Sequence, residues 1–241
     1  IKNILKKIKN KSYLTFGTNV YSNFNIINIE QKIIYSKFDI RINLPNKKIT
    51  IIKNFKIPVI GLHNIRNATA AIAVCFSLGM PVNLIKKGLL NFRGVQRRFN
   101  YIFNFRNTKI FDDYAHHPTE ISEVLNGVKE VYKKNEIICV FQPHRISRLK
   151  DLKEKFTFAF KKADTVILCP IFKAGESIKL GFDYFNFANL IAKNSNVKLI
   201  MIKNEFDLAN LVKKIAFGNK IIIGMGAGSI SNWIRKIPRL I

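Results

Sequence analysis

The spacing of apolar and polar positions divides the chain into two regimes that change over at about residue 100. Before it, Tyr13 to Gly17, Asn25 to Ile29, Lys32 to Ile42 and Lys48 to Ile52 are short β-prone runs, punctuated at Gly17, Asn46 and Lys47. They predict a small antiparallel meander. Alternation through Phe38-Asp39-Ile40-Arg41-Ile42-Asn43-Leu44 gives one strand a wet face. Pro58 and Gly61 end this section. His63 to Asn67 then opens an alanine-rich helix over Ala68 to Leu78, closed by Gly79, and Pro81 starts a second helix through Leu90.

From about Tyr101 strands and helices alternate. Strands are expected near 108 to 112, 136 to 141, 164 to 169, 197 to 202 and 219 to 224. Helices are expected over 118 to 132, 149 to 162, 183 to 194, 205 to 216 and 229 to 236. This rhythm predicts a doubly wound, mostly parallel α/β domain. The domains expected are therefore residues 1–100, small antiparallel strands plus helices, and 101–241.

Polar clusters follow the carboxyl ends of the predicted strands, where open α/β sheets hold their ligands. The densest is Asp112-Asp113-Tyr114-Ala115-His116-His117-Pro118-Thr119-Glu120, with Pro118 at a first helical position and Glu120 in the first turn. Gln142-Pro143-His144-Arg145, Lys173-Ala174-Gly175-Glu176 and Gly224-Met225-Gly226-Ala227-Gly228-Ser229 follow later strands. The glycine string has the composition of a dinucleotide loop, but it sits on the last predicted strand, with no later strand to carry an acidic ribose partner. A tight turn beside another site fits it better. Asn64 and Asn67 share a helix face and read either as ligand contacts or as caps. Arg97 and Arg98, between aromatics, read either as a solvated turn or as a phosphate clamp.

Composition narrows the classes. The chain has 41 Lys and Arg against 15 Asp and Glu, a formal charge of +26, which would attract polyanions. The basic residues are dispersed, without a basic arm or a helix-turn-helix, so specific nucleic-acid binding is not expected. No apolar run is long enough for a membrane span, and Ile1 to Lys11 lacks the features of a secretory signal. A cytoplasmic location is therefore expected. Cys75, Cys139 and Cys169 suit neither a disulfide framework nor a zinc site and read as buried, reduced thiols.

Five segments, in order, resemble the Mur ligases: His63-Asn64-Ile65-Arg66-Asn67, Gly94-Val95-Gln96-Arg97-Arg98-Phe99, Asp112 to Glu120, Phe141-Gln142-Pro143-His144-Arg145-Ile146-Ser147-Arg148, and Ala174-Gly175-Glu176. All four histidines fall within them. The resemblance implies an ATP-dependent ligase of peptidoglycan synthesis that joins L-alanine to UDP-N-acetylmuramate through an acyl phosphate. Its domains would be the later part of a central ATP-binding domain and a Rossmann-like amino-acid-binding domain. It also implies nucleotide contacts at His63, Asn64, Asn67, Arg98 and Asp113, and catalytic roles for Arg98, Asp113, His116 and His117. The substrate carboxylate would meet His144, Arg145 and Arg148. ATP and Mg²⁺ are implied as well, the metal ligands lying mainly outside these residues, and no metal site is expected within them. A glycine-lysine phosphate loop, part of the family pattern, does not occur in the sequence, and the chain alone is expected to be inactive. Rival readings are a ligase for recycled murein tripeptide, which shares D-D-x-A-H-H-P, and a catalytically dead remnant serving as a binding module.

Overall fold

The computed structural model describes residues 11–32, 34–45, 47–92, 95–176 and 182–241. The basic opening segment up to residue 10, the turn residue Asn46 and the Gly94 of the arginine motif lie outside them. The chain divides into two compact units, residues 1–93 and 94–241.

In the first unit β1 (Phe16–Gly17), β2 (Phe24–Gln31), β3 (Ser36–Ile42) and β4 (Thr50–Ile57) form one sheet in chain order. β2, β3 and β4 are antiparallel neighbours, as the pattern predicts. The meander expectation fails at β1, which runs parallel to β2 with Phe16 opposite Phe24. Asn23 makes that arrangement possible: its Oδ1 accepts the Thr15 N–H at 2.9 Å and so ties the two strands across their connection. Phe24, Phe38, Ile40, Phe55 and Ile57 project from one face onto Ile65 and Ile72 of α1 (Leu62–Ser77) and Ile85 of α2 (Val82–Leu90).

α1 starts at Leu62, one residue before His63, where the sequence pattern opens the helix. Gly61 caps it with φ 98°, a left-handed conformation that favours glycine, and a Cβ there would lie 2.7 Å from His63 Cε1. Asn64 and Asn67 are consequently inside the helix. Neither is its cap, which removes one of the two readings of that pair.

The second unit contains a six-stranded sheet in the order β5-β6-β10-β7-β8-β9. Its strands are β5 (Asn100–Phe105), β6 (Thr108–Asp113), β7 (Glu136–Phe141), β8 (Thr165–Leu168), β9 (Lys198–Met201) and β10 (Lys220–Met225). All neighbours are parallel except the edge strand β5, which the sequence pattern does not predict. The helices are α3 (Pro118–Val131), α4 (Ile146–Asp151), α5 (Lys153–Thr157), α6 (Tyr184–Ser195), α7 (Glu205–Ile215) and α8 (Ile230–Leu240). The single helix expected over 149 to 162 is thus two short ones that begin earlier. Leu152 leaves the helical region at φ −117°, ψ 18° and separates them.

Successive residues on a strand face opposite sides of a sheet, and both sides of this one are covered. On one side Ile110, Ile138, Val140 and Ile222 pack with Leu208 and Val212 of α7 and Ile230, Ile234 and Ile237 of α8. On the other, Phe141 meets Phe156 and Phe160 at ring separations of 5.8 and 5.3 Å, and Phe187 of α6 meets Phe156 at 6.3 Å. This is the doubly wound α/β arrangement that the sequence implies. Gly224 is required where β10 passes α8, since a Cβ there would stand 2.3 Å from Ile234 Cγ1. Cys139 and Cys169 are buried, which pushes both thiols up, whereas Cys75 is only half-buried, so the expectation of three buried thiols holds for two. No helix among the described residues is long and apolar enough to cross a membrane.

Candidate active site

The loops that follow β6, β7, β8 and β10 are joined to one another at the carboxyl edge of the second sheet. After β6, Asp113 is 2% exposed, and its carboxylate accepts Ala115 N–H on Oδ1 and Phe99 N–H on Oδ2, both at 2.7 Å. Burial pushes its pKa up from 3.8 to about 6, against the pull of those two N–H groups. Asp113 therefore fixes the backbone just after Arg98 and just before the histidine pair. Arg98 itself is exposed, and among the described residues its guanidinium makes no hydrogen bond or ion pair. Against the opposing effect of burial, the His116 N–H, the His116 ring, the His117 N–H and, last, the Arg98 charge hold Glu120 below the usual carboxylate range.

The two adjacent histidines have different partners. His117 caps α3: its Nδ1 accepts the Thr119 N–H at 3.3 Å, while Glu120 Oε2 accepts His116 N–H and His117 N–H at 3.1 and 3.3 Å. Its Nδ1 lone pair is thereby engaged. His116 Nδ1 lies 3.0 Å from the Tyr114 carbonyl oxygen, an acceptor only, and 3.4 Å from Glu120 Oε2, so the ring donates from Nδ1, and in its neutral form Nε2 carries the lone pair. His116 stands 5.9 Å from His144, ring centre to ring centre.

After β7, Gln142 is buried and spans to the glycine loop. Its Nε2 donates to Ser229 Oγ at 3.0 Å and its Oε1 accepts Ile230 N–H at 2.9 Å. His144 stacks on Phe172, 5.6 Å away at 12°, and its Nδ1 accepts from Arg148 Nη1 at 3.4 Å. Partial burial first, then the Arg148 charge, with smaller contributions from the neighbouring His116 ring and Arg145, hold its pKa below the usual histidine value, so its ring is neutral at physiological pH. Arg145 is exposed and has φ 68°, an uncommon conformation for a side chain of that size. Its N–H donates to Phe172 O at 3.0 Å, and Phe172 N–H donates to Pro143 O at 2.8 Å.

After β8, Ala174 and Gly175 both take positive φ, 50° and 86°, and turn Glu176 back onto Ser147. The Glu176 carboxylate accepts Ser147 Oγ–H on Oε1 and Ser147 N–H on Oε2, the latter at 3.1 Å. These bonds lower its pKa. After β10, Gly226 has φ 148°, and a Cβ there would stand 2.6 Å from Gln142 O. Arg97 clasps this loop by donating from Nη2 to Gly226 O at 2.6 Å, with its guanidinium 4.7 Å above the Tyr114 ring.

Arg98, Asp113, His116, His117, His144, Arg145 and Arg148 thus gather on one edge of the second unit. His63, Asn64 and Asn67 lie together at the start of α1 in the first. His63 is half-buried beside Gly61, Asn64 Nδ2 donates to Ile60 O at 2.7 Å, and Asn67 is exposed. The sequence reading weighed Arg97 only as part of a solvated turn or a phosphate clamp, and it assigned no role to Gln142, Ser147 or Glu176, although all stood inside motifs. Their partners lie on distant elements, which no local pattern displays. Among the described residues no group of three or more His, Cys, Asp or Glu could hold a metal ion, so the Mg²⁺ implied by the resemblance finds no fitting donor set here.

A profile of the Mur ligase, glutamate ligase domain matches residues 97–228. The chain belongs to the Mur ligase family. Among its curated relatives, the UDP-N-acetylmuramate--L-alanine ligase of Pelagibacter ubique (strain HTCC1062) is 60% identical over 240 residues, 100% of this chain and 52% of that protein. The enzyme of the same name from Bartonella tribocorum (strain CIP 105476 / IBS 506) is 36% identical over 99% of this chain and 50% of its own length. Among solved structures, UDP-N-acetylmuramate-alanine ligase MurC from Thermotoga maritima superposes with a TM-score of 0.75 and 27% identity, covering 94% of this chain and 47% of that one. The chain spans about half the length of the curated relatives it matches.

Proposed function

We propose that the protein carrying this chain is an ATP-dependent, cytoplasmic ligase that joins L-alanine to UDP-N-acetylmuramate in peptidoglycan precursor synthesis. The observation that carries this reading is the 60% identity, over the whole chain, to a relative named for that reaction.

In the reaction the lactyl carboxylate of the UDP-sugar attacks the γ-phosphorus of ATP and releases ADP. The alanine amine then adds to the acyl phosphate, and the tetrahedral intermediate expels phosphate. Arg145, just before α4, and Arg148, within it, grip the alanine carboxylate and leave its amine free to attack. His144 borders them as a neutral ring. It and His116, whose Nε2 is open, are the candidates to take the proton the amine loses; His117 serves α3 as its cap. Arg98, exposed and unpaired among the described residues, meets charge on the transferring phosphoryl oxygens. Asp113 positions that arginine through Phe99. His63, Asn64 and Asn67 contact the nucleotide. No step is assigned to Mg²⁺ by the residues described.

The test is alanine-dependent phosphate release by the full-length protein with ATP, Mg²⁺ and UDP-N-acetylmuramate. The reading expects turnover that Arg145→Ala and Arg148→Ala impair mainly through a higher alanine KM. Turnover with a recycled tripeptide in place of alanine would reassign the substrate, and absence of turnover with either would leave a binding module.

A further inference from the structure

A cavity of about 480 Å³ lies on the second unit between α8, the segment leading into β5, and Gly228. Arg97 and Arg235 line it, together with Asn100, Tyr101, Ser231 and Asn232, and none of its lining residues is acidic. Behind the wall stands Asp112, fully buried, on the opposite face of β6 from Asp113. Asp112 Oδ2 accepts from Ser231 Oγ at 2.6 Å and from Arg235 Nη2 at 3.1 Å; its Oδ1 stands 3.9 Å from Arg97 Nε. Two guanidiniums therefore share one buried negative charge, leaving a net positive charge on the cavity wall.

The donors are not exhausted. Each guanidinium offers five N–H groups in a planar fork. Arg97 uses Nη2 on Gly226 O, and Arg235 uses Nη2 on Asp112 and Nε on Ser231 Oγ, at 3.4 Å. Ser231 and Asn232 stand in the first turn of α8, an 11-residue helix whose amino end adds positive potential. Tyr101 borders the cavity, but its ring lies edge-on to Phe111 at 5.7 Å, on the face of the sheet away from Asp112, so Asn100, opposite Asp112, is the β5 side chain on the cavity's face. The volume exceeds that of a bare ion and falls within the range of small-molecule sites.

We propose that this cavity binds a small metabolite bearing an oxyanion, phosphate or carboxylate, with the anion between Arg97 and Arg235 and the remainder against Asn100 and Asn232. The site is separate from the candidate active site, but it shares the glycine loop with it: Arg97 holds that loop at Gly226 and Gln142 holds it at Ser229.

The dispersed charge of +26 gives non-specific anion attraction as the rival explanation. Two variants separate them. Arg235→Gln removes one guanidinium. Asn232→Asp sets a carboxylate on the rim without touching the Asp112 pairs, at a first-turn helix position where a negative charge suits the fold. Inorganic phosphate, and acetate in a parallel arm, would be titrated into the 241-residue chain at constant ionic strength, following the amide signals of Gly228 and Asn232 by NMR, with a thermal melt of each protein. The proposal expects saturating shifts with phosphate, acetate or both, the tighter arm naming the oxyanion, and at least tenfold weaker binding in Asn232→Asp with an unchanged melt. Arg235→Gln should weaken it similarly. Non-saturating shifts, shifts centred on Arg145 and Arg148, or saturation indifferent to Asn232→Asp would overturn it. One charge among the excess would scarcely alter a diffuse attraction.

Discussion

Glu176 holds Ser147 through both the hydroxyl and the backbone N–H of that residue, joining the loop after β8 to the first turn of α4. α4 is only six residues long and carries Arg148, with Arg145 just before it in a left-handed conformation. A helix that short has little stability of its own, so the carboxylate from the neighbouring loop acts as its brace.

Glu176→Ala in the full-length protein should therefore raise the alanine KM several-fold while kcat and the ATP KM change less, and the melt should move little because Glu176 is at the surface. Glu176→Gln, which keeps one acceptor, should recover part of the loss. Kinetics with alanine and ATP varied separately test this; equal defects toward both substrates would count against the brace.

Asp113 gives a pH prediction with a definite sign. Its folded-state pKa is raised from 3.8 to about 6, so between those values the native state holds more protons than the unfolded chain. Stability from this group is full below about pH 4 and is lost as pH rises toward 6. The shift corresponds to about 3 kcal/mol. Denaturant unfolding of wild type and Asp113→Asn across pH 4 to 7 should show the difference, wild type minus variant, falling through that window. A flat or rising difference would contradict the burial argument.

Adjacent and nearby arginines should separate cleanly. Arg97 is bonded to Gly226 O, faces Asp112 and covers Tyr114, whereas Arg98 is exposed. Arg97→Ala should cost about 1.5 to 3 kcal/mol of stability, the range for a hydrogen bond made by a charged group. Arg98→Ala should leave the melt within about 0.5 kcal/mol yet impair the ATP-dependent step. Calorimetry with phosphate-release kinetics on both variants checks the division.

Gly224→Ala and Gly228→Ala test two glycines of one string for two purposes. The first drives a methyl into Ile234 and should cost about 1 to 3 kcal/mol by overpacking the α8 side of the core. The second would meet Gln142 Oε1 and Phe172 Cγ at 2.5 Å, the groups behind His144. It should therefore change the alanine KM more than the melting temperature, and the reverse ranking would refute the assignment.

The alternation of the second unit was legible because buried parallel strands and amphipathic helices carry different periods. Strand β5 was not. Asn100 to Phe105 is an edge strand, and its two-residue turn to β6 uses Arg106 and Asn107 at φ 48° and 65° without the glycine that usually marks such a hairpin. The candidate site was legible as a set of loops, since strand–loop–helix order alone puts Asp113, His116, His144, Arg145 and Arg148 on one edge. Its internal wiring was not. That Asp112 belongs to Ser231 and Arg235 while Asp113 belongs to Phe99 and Ala115 depends on which face of β6 each occupies and on what packs there. The parallel course of β1 was hidden for a similar reason, because a two-residue strand takes its direction from Asn23 and Thr15 rather than from its own composition.

The strand at the middle of the second sheet is also its last in chain order. Ile222 of β10 sits between Ile110 of β6 and Ile138 of β7. On a ribosome, β6 and β7 would be complete long before their shared neighbour emerges, each offering an open, isoleucine-rich edge to other chains. Pairing across so much intervening sequence is slow to nucleate. The second unit should therefore assemble late and abruptly, and chaperone demand during synthesis should peak just before β10 is released.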